Sequence, residues 1–320
     1  MYDELRGSRV LVTGATGLIG QTLIKRLLDL NTKVVAVVRN TEKAKGLFGE
    51  NEGISYIVSD VTELEVNEYG IDYIIHAASN TSSKAFIYDP VGVINTAIEG
   101  TRRTLEIARL SDVTGYVYLS SMEVYGTPTT DEKIDELFPT NLNTMAPRSA
   151  YPESKRMCES LCASYASQYG VPAKVVRLTQ TFGPGVQYND GRVFAEFARC
   201  AIEGRDIVLH TKGETKRSYL YTEDAVDAIL TVLVKGNNGE AYNAANEETY
   251  CSIYDMAEMV ANECAGGKIR VVIKETDTTS FGYAPTLHMN LDTRKLQSLG
   301  WRAVMSLNDS YKKMIDRMNF

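Results

Sequence analysis

Tyr151 and Lys155 stand four residues apart in Tyr151-Pro152-Glu153-Ser154-Lys155. On a helix, residues at i and i+4 share one face, so a phenol and an ammonium are offered side by side. An unperturbed tyrosine, with a pKa of about 10, is too weakly ionised to act as a base at neutral pH. A cation at roughly 4 Å in a medium of effective dielectric about 20 is worth about 4 kcal/mol, or some three pKa units. That shift would make the phenol a usable general acid/base. The same spacing also describes an ordinary surface pair, so the rest of the chain has to decide.

Positioning such a pair takes a framework, and the pattern of apolar residues supplies one. Short β-branched or apolar runs at Arg9 to Thr13, Lys33 to Val38, Ser55 to Val58, Tyr73 to His76, Tyr116 to Ser120 and Lys174 to Leu178 read as buried strands. Helical spacing marks Leu18 to Leu30, Val91 to Arg109 and Tyr151 to Tyr169. Strands alternating with helices predict an α/β fold of Rossmann type, a doubly wound parallel sheet covered on both faces. Beyond Gly183-Pro184-Gly185 the alternation loosens into a helix at Val193 to Ile202, a strand at Ile207 to His210 and a helix at Ile253 to Cys264. This divides the chain into a dinucleotide-binding domain, residues 1–182, and a smaller C-terminal substrate-binding lobe, residues 183–320, with about 219–246 packing back on the first domain. Such a lobe would cover the carboxyl ends of the strands, where open α/β sheets bind ligands.

The first strand runs into Thr13-Gly14-Ala15-Thr16-Gly17-Leu18-Ile19-Gly20. Gly14 permits a tight turn, Gly17 lets the backbone approach a pyrophosphate, and Gly20 lets helix and strand pack closely. The helix amino terminus then faces the anion. An acid that would hold a ribose 2′-hydroxyl is missing at the end of the second strand, where Val38 and Arg39 stand. Arg39 facing a 2′-phosphate, with Asn40 and Lys43 nearby, favours NADP over NAD; Arg39 stacked on adenine or left in solvent is the other reading. Asp60, after the third strand, is placed either to accept from the adenine amino group or to cap a helix.

Composition narrows the function class. The chain has 320 residues, 44% hydrophobic and 23% charged, with a net charge of −7, as in an ordinary globular protein. No Lys/Arg-rich block gives an electrostatic footprint for nucleic acid. The longest apolar runs, such as Val34 to Val38, are too short to span a membrane. The opening residues Met1 to Arg6 are charged and polar and do not read as a signal peptide. Cys158, Cys162, Cys200, Cys251 and Cys264 are odd in number and scattered, which points to reduced thiols in a cytoplasmic setting and to no metal site.

Taken in order, the Gly14–Gly20 turn, His76-Ala77-Ala78, Asn95 with Gly100-Thr101, Ser120 to Gly126, Tyr151 with Lys155, Arg177 with Phe182-Gly183-Pro184, and Arg217-Ser218-Tyr219 with Asp224 resemble the extended short-chain dehydrogenase/reductase family, specifically its nucleotide-sugar epimerases and dehydratases. The resemblance implies that Tyr151 exchanges the sugar O4 proton, that Lys155 holds the nicotinamide ribose and lowers the Tyr151 pKa, and that Ser121 bonds the same oxygen. It implies cofactor contacts from Gly14, Thr16, Gly17, Leu18, Ile19, Arg39, Asp60, Val61, Ala77 and Ala78. It also implies substrate contacts from Ser79, Ser121, Met122, Gln180 and Arg217, the last two on the diphosphate. Asn95 would brace the catalytic helix, and His76 reads as a strand-end core residue. A homodimer through a four-helix bundle follows from the same resemblance.

The family oxidises sugar C4 first, and the 4-keto intermediate then decides the product. Glu123, just before Val124-Tyr125-Gly126, matches the glutamate of the family's 4,6-dehydratases and UDP-glucuronate decarboxylases, and so favours those outcomes over 4-epimerisation. Met122 cannot replace the aspartic acid that one dehydratase subgroup uses there. A keto-sugar reductase and a non-catalytic NADP-sensing regulator are the other readings. Gln180 stands where the family usually has Asn. The stretch Thr127 to Arg148 is long for the fold and reads as a lid or a surface excursion.

Overall fold

A computed structural model describes residues 2–82, 84–276 and 286–318. Residues 277–285, 319 and 320 of the expected lobe therefore lie outside the described residues. The strands are β1 (Arg9–Thr13), β2 (Lys33–Val38), β3 (Ile54–Val58), β4 (Tyr73–His76), β5 (Gly115–Ser121), β6 (Ala173–Leu178), β7 (Gln180–Phe182), β8 (Ile207–Leu209), β9 (Lys216–Tyr221), β10 (Ala241–Ala244), β11 (Asn246–Ser252), β12 (Val271–Ile273) and β13 (His288–Met289). The helices are α1 (Leu18–Asp29), α2 (Thr41–Phe48), α3 (Ala85–Tyr88), α4 (Pro90–Leu110), α5 (Ala150–Tyr169), α6 (Val193–Glu203), α7 (Thr222–Lys235), α8 (Ile253–Met259), α9 (Arg294–Ser298) and α10 (Leu307–Ile315).

Seven parallel strands form the central sheet in the order β3-β2-β1-β4-β5-β6-β10. Alternate side chains of each strand point to opposite faces, which builds two cores from one sheet. Val10 and Val12 join Leu23, Ile24, Leu27 and the apolar face of α7 on one side. Leu11, Val35 and Ile74 join Leu105, Ile107 and Cys162 of α4 and α5 on the other. The chain leaves β1 toward β3, then returns to place β4 on the opposite side of β1. That reversal opens a crevice at the carboxyl ends of β1 and β4.

Beyond β6 the chain builds other layers. In a four-stranded sheet β9 pairs in parallel with β7 and β13 and antiparallel with β11. Phe182, Phe194, Phe197, Tyr219, Met256 and Tyr311 make a separate core, in which Phe182 stacks on Phe194 at 4.8 Å. α7 and β10 return to the central sheet, α7 beside α1 and β10 beside β6. The helix expected from Ile253 to Cys264 is α-helical only to Met259 and continues as a π turn over Val260–Cys264.

The stretch from Thr127 to Arg148 is strapped down along its first half. His288 N–H donates to Pro128 O (2.7 Å), Ile134 N–H to Asn290 O (2.9 Å) and Asp292 N–H to Ile134 O (2.8 Å). Asp131 accepts from Lys216 Nζ at 2.9 Å and from the Tyr250 hydroxyl at 2.6 Å. The polar composition hid this pairing because its anchor is a single apolar residue, Ile134, which is 1% exposed.

A buried polar network locks these layers together. Arg177 of β6 donates Nε and Nη2 to both oxygens of Glu159 on α5, at 3.0 and 2.7 Å. Its Nη1 donates to the Tyr125 hydroxyl and to Glu136 O, each at 2.8 Å. Ser120 donates to Glu159, and Tyr125 donates to Asn243 of β10. With side chains only 14% and 12% exposed, Arg177 and Glu159 cannot turn to water for compensation. Arg177→Met is expected to cost about 3–5 kcal/mol in urea unfolding, because it strands a buried carboxylate. Adding Glu159→Met should recover part of that loss, so the double variant should be more stable than the two single losses summed.

Candidate active site

Gly14 closes the turn after β1 with φ +67°, where a Cβ would lie 2.7 Å from the carbonyl carbon and oxygen of Ala77. A Cβ on Gly20 would meet Gly14 O at 2.2 Å. Only hydrogen fits at either place, which holds β1, β4 and α1 in close approach. Gly17 caps α1 with no side-chain hydrogen bond, so the first N–H groups, from Leu18 and Ile19 onward, stay available to an anion. The cradle fits a dinucleotide pyrophosphate, with Thr16 beside it. Thr13 was not singled out from the sequence, yet its hydroxyl accepts from Ala77 N at 3.2 Å and Ala78 N at 3.1 Å. With both lone pairs occupied, its proton goes to His76 Nδ1 at 2.7 Å, leaving His76 Nε2–H for Thr101 at 3.2 Å. His76 is fully buried in the core, and burial pushes its pKa down to about 3.

At the far end of the crevice Arg39 and Asp60 meet at 3.7 Å, with Arg39 largely exposed. Asp60 accepts from Thr62 N at 3.0 Å and Thr62 Oγ1 at 2.8 Å, closing its own turn. The Thr62 N–H, then the Thr62 hydroxyl and Arg39, hold its carboxyl below the usual carboxylate range. Val61 is buried next to Gly100 of α4, where a Cβ would come within 2.9 Å of it.

Tyr151 and Lys155 open α5, both buried. Their electrostatics differ from the sequence expectation. Lys155 Nζ donates to Leu119 O at 2.7 Å and lies 4.7 Å from the Tyr118 ring, against 5.7 Å from the Tyr151 ring. The carbonyl at the end of β5 outcompetes the phenol, and burial pushes Lys155 down to about 8. Tyr151 is itself pushed well above an ordinary tyrosine, first by burial and then by the Glu123 charge. The Ser121 hydroxyl and the charges of Arg148 and Arg192 act in the opposite direction.

Glu123 sits on the 3₁₀ turn Met122–Tyr125, which follows β5 directly. Its N–H donates to Ser121 Oγ at 3.3 Å, and its Oε2 accepts from Arg148 Nη2 at 2.9 Å. Met122 turns inward, into a small core with Val124, Tyr125 and Ile134, and its sulfur accepts from Thr179. Gln180 pairs in register with Tyr219, two residues beyond Arg217, so Gln180 and Arg217 project from one face of the second sheet. Arg217 Nε is buried and finds no hydrogen-bond partner among the described residues. Ser79 is half-buried just past β4.

One expectation fails outright. Asn95 is exposed on α4 and braces nothing; the buried position is Ala97. Two residues turn a helix by about 200°, which carries Asn95 to the far side. Two groups at the site escaped sequence reading. Arg192 lies far along the chain, before α6, and Phe86 stacks on Tyr151 from α3 at 4.3 Å. Neither has a spacing signal, because both contacts are long-range. Arg148, three residues before Tyr151, was within reach of a helical-turn argument. Among the described residues no cluster of His, Cys, Asp and Glu could hold a metal, and no helix is long and apolar enough to cross a membrane.

Residues 10–245 match the sequence profile of the NAD dependent epimerase/dehydratase family. UDP-glucuronic acid decarboxylase 1 of Xenopus tropicalis is 30% identical over 98% of this chain and 72% of its own length. Two solved structures share the fold with TM-scores of 0.80. The UDP-glucose 4-epimerase of Thermotoga maritima, solved with UDP-glucose, is 22% identical and covers 97% of this chain and 98% of its own. The dTDP-glucose 4,6-dehydratase of Streptomyces venezuelae, solved with NAD and TYD, is 21% identical over 97% and 96%.

The buried His76 carries a pH signature. The unfolded chain takes up a proton near pH 6.5, while folded His76 does so only near 3. This part of the stability is complete above pH 6.5 and falls by about 1.4 kcal/mol per pH unit as the solution becomes more acid. His76→Gln should flatten the slope of urea-unfolding stability between pH 6 and 4 relative to the unmodified protein, whatever its effect at pH 7.

Proposed function

The chain belongs to the NAD dependent epimerase/dehydratase family and is an enzyme, and from that premise we propose that it decarboxylates UDP-glucuronate through transient oxidation at sugar C4. The observation that carries this reading is the position of Glu123, between Ser121 and Arg148, with a second guanidinium, Arg192, acting on Tyr151. Two arginines around the acid/base suit a sugar that carries its own carboxylate at C6. Similarity to a UDP-glucuronic acid decarboxylase over 98% of this chain supports the same outcome.

Held at the Gly14–Gly20 turn and the amino terminus of α1, NAD would supply the hydride acceptor for sugar C4 and the donor for its return. Tyr151 must act as the phenolate to take the O4 proton, with Ser121 beside it; burial and Glu123 oppose that ionisation, and the Ser121 hydroxyl, Arg148 and Arg192 favour it. Loss of the C5–C6 bond then releases carbon dioxide, and the electron pair moves into an enolate conjugated with O4. A proton returns to C5, and Glu123 is the group on the turn placed to manage it. Met122 supplies no acid there, because a thioether has no proton to give, and this disfavours expulsion of water from C6 by a group at that position. The buried Nε of Arg217, with Gln180 beside it, suits the substrate diphosphate.

The division at residues 182 and 183 assigns the dinucleotide to the first part and the nucleotide sugar to the second. Arg39 is the group that would set the choice between NAD and NADP, and its ion pair with Asp60 leaves it exposed at the adenosine end. The exposed apolar side chains Val91, Leu110, Met157 and Tyr169 on α4 and α5 support a homodimer through those helices. The cysteines, three buried and two half-buried, suit work in the cytoplasm.

Incubation with UDP-glucuronate, UDP-glucose and dTDP-glucose, read by product mass, tests the proposal. Loss of carbon dioxide from UDP-glucuronate is expected; loss of water from either glucose substrate would sink it in favour of a dehydratase. Glu123→Gln should slow product formation by about 10²–10⁴-fold while the transient reduction of nicotinamide persists. Tyr151→Phe should abolish both.

A further inference from the structure

Around Tyr151 the contacts form a chain that begins and ends beside it. The Ser121 hydroxyl acts on Tyr151 to lower its pKa and accepts from Glu123 N–H at 3.3 Å. Glu123 pairs with Arg148 at 2.9 Å. The Arg148 guanidinium lies 4.7 Å over the Phe86 ring, and that ring stacks on Tyr151 at 4.3 Å and 20°. Phe86 and Tyr151 are 3% and 7% exposed. The two reacting side chains, Glu123 and Tyr151, thus share a single brace that neither α5 nor the 3₁₀ turn supplies.

We propose that Arg148 and Phe86 are positioning residues that set Glu123 and Tyr151 against each other for the reaction. Phe86 covers one face of the Tyr151 ring and leaves its hydroxyl edge toward Ser121. Arg148 lies over the Phe86 ring and donates Nη2–H to Glu123, so movement of one reacting side chain is felt by the other. The brace rests on the reading of Tyr151 as the acid/base. It joins α3, the end of the stretch 127–148 and the start of α5. The charged and titratable groups acting on Tyr151 include Glu123 from the turn, Arg148 from the 3₁₀ turn Pro147–Ser149 and Arg192 from the start of α6; Lys155 of α5 and Tyr118 of β5 lie alongside.

Three variants of the NAD-loaded protein, Arg148→Met, Arg148→Lys and Phe86→Leu, separate positioning from bulk structure. Arg148→Met is expected to lower kcat on the order of tenfold to a hundredfold with KM little changed, because the geometry of the reacting groups loosens while substrate contacts stay. It should also move the limb of the pH profile set by phenolate formation to higher pH, since a cation facing Tyr151 is gone. Arg148→Lys keeps the charge but not the planar stack, so kcat should fall with the limb unmoved. Phe86→Leu should behave the same way. Unchanged kcat and pH profile in Arg148→Met would overturn the proposal, as would a rise in KM alone, which would make Arg148 a substrate ligand.

Amide hydrogen exchange gives an outcome that does not depend on the substrate. The N–H groups of Phe86, Tyr88 and Asp89, bonded to Ser82 O, Lys84 O and Ala85 O, should exchange faster in Arg148→Met. Unchanged exchange there refutes the brace even if the enzyme proves to act on another sugar. Faster exchange supports it in that case too.

Discussion

One buried ion pair underlies every candidate catalytic side chain. Glu159 lies one helical turn past Lys155 on α5, and its partner Arg177 comes from β6. Glu159 accepts from Ser120, the neighbour of Ser121, and Arg177 donates to Tyr125, which ends the turn carrying Glu123. The pair therefore links the strand, the turn and the helix that present the candidate catalytic groups. It also reaches Glu136 in the long stretch before α5 and, through Tyr125 and Asn243, β10 of the central sheet. Ionic groups held this deep add little net stability. What they add here is a fixed relation among three segments distant in sequence.

On that frame the electrostatics of Tyr151 are a contest between burial and charge. Removing the phenol from water favours its neutral form, and a carboxylate nearby favours it further. Two guanidiniums and the Ser121 hydroxyl act in the opposite sense. Lys155, the obvious cation in the sequence, is bonded to a backbone carbonyl instead. A buried ammonium needs acceptors for its donors, and Leu119 O is the one within reach at 2.7 Å.

The parallel sheet explains why these groups share one edge. Each strand of the central sheet points its carboxyl end the same way, so the ends of β1, β4 and β5 open onto one crevice. Gly14 and Gly20 let β1, β4 and α1 approach closely enough to form its floor. The stretch from Thr127 fastens to β13 and β9 before it delivers Arg148 to the site. A segment pinned at Pro128 and Ile134 gives the guanidinium a defined starting point.

The amino-acid sequence by itself determined the strand–helix alternation, the glycine turn and the placing of Tyr151 and Lys155 together at the start of one helix. These follow from side-chain period, from the room a missing Cβ leaves and from helical spacing, all of which act over a few residues. Among the elements read from the pattern, most boundaries fell within one or two residues, while segments such as α2, β9, α7 and β11 were given no bounds. Tertiary structure alone decided which groups face Tyr151, because Arg192 and Phe86 arrive from segments that no local period connects to α5. It also decided that Asn95 faces solvent, since a motif names a residue type while the rotation of a packed helix chooses its direction. Sequence spacing fixes neighbours along a chain; who meets across the crevice depends on how the sheet stacks its helices.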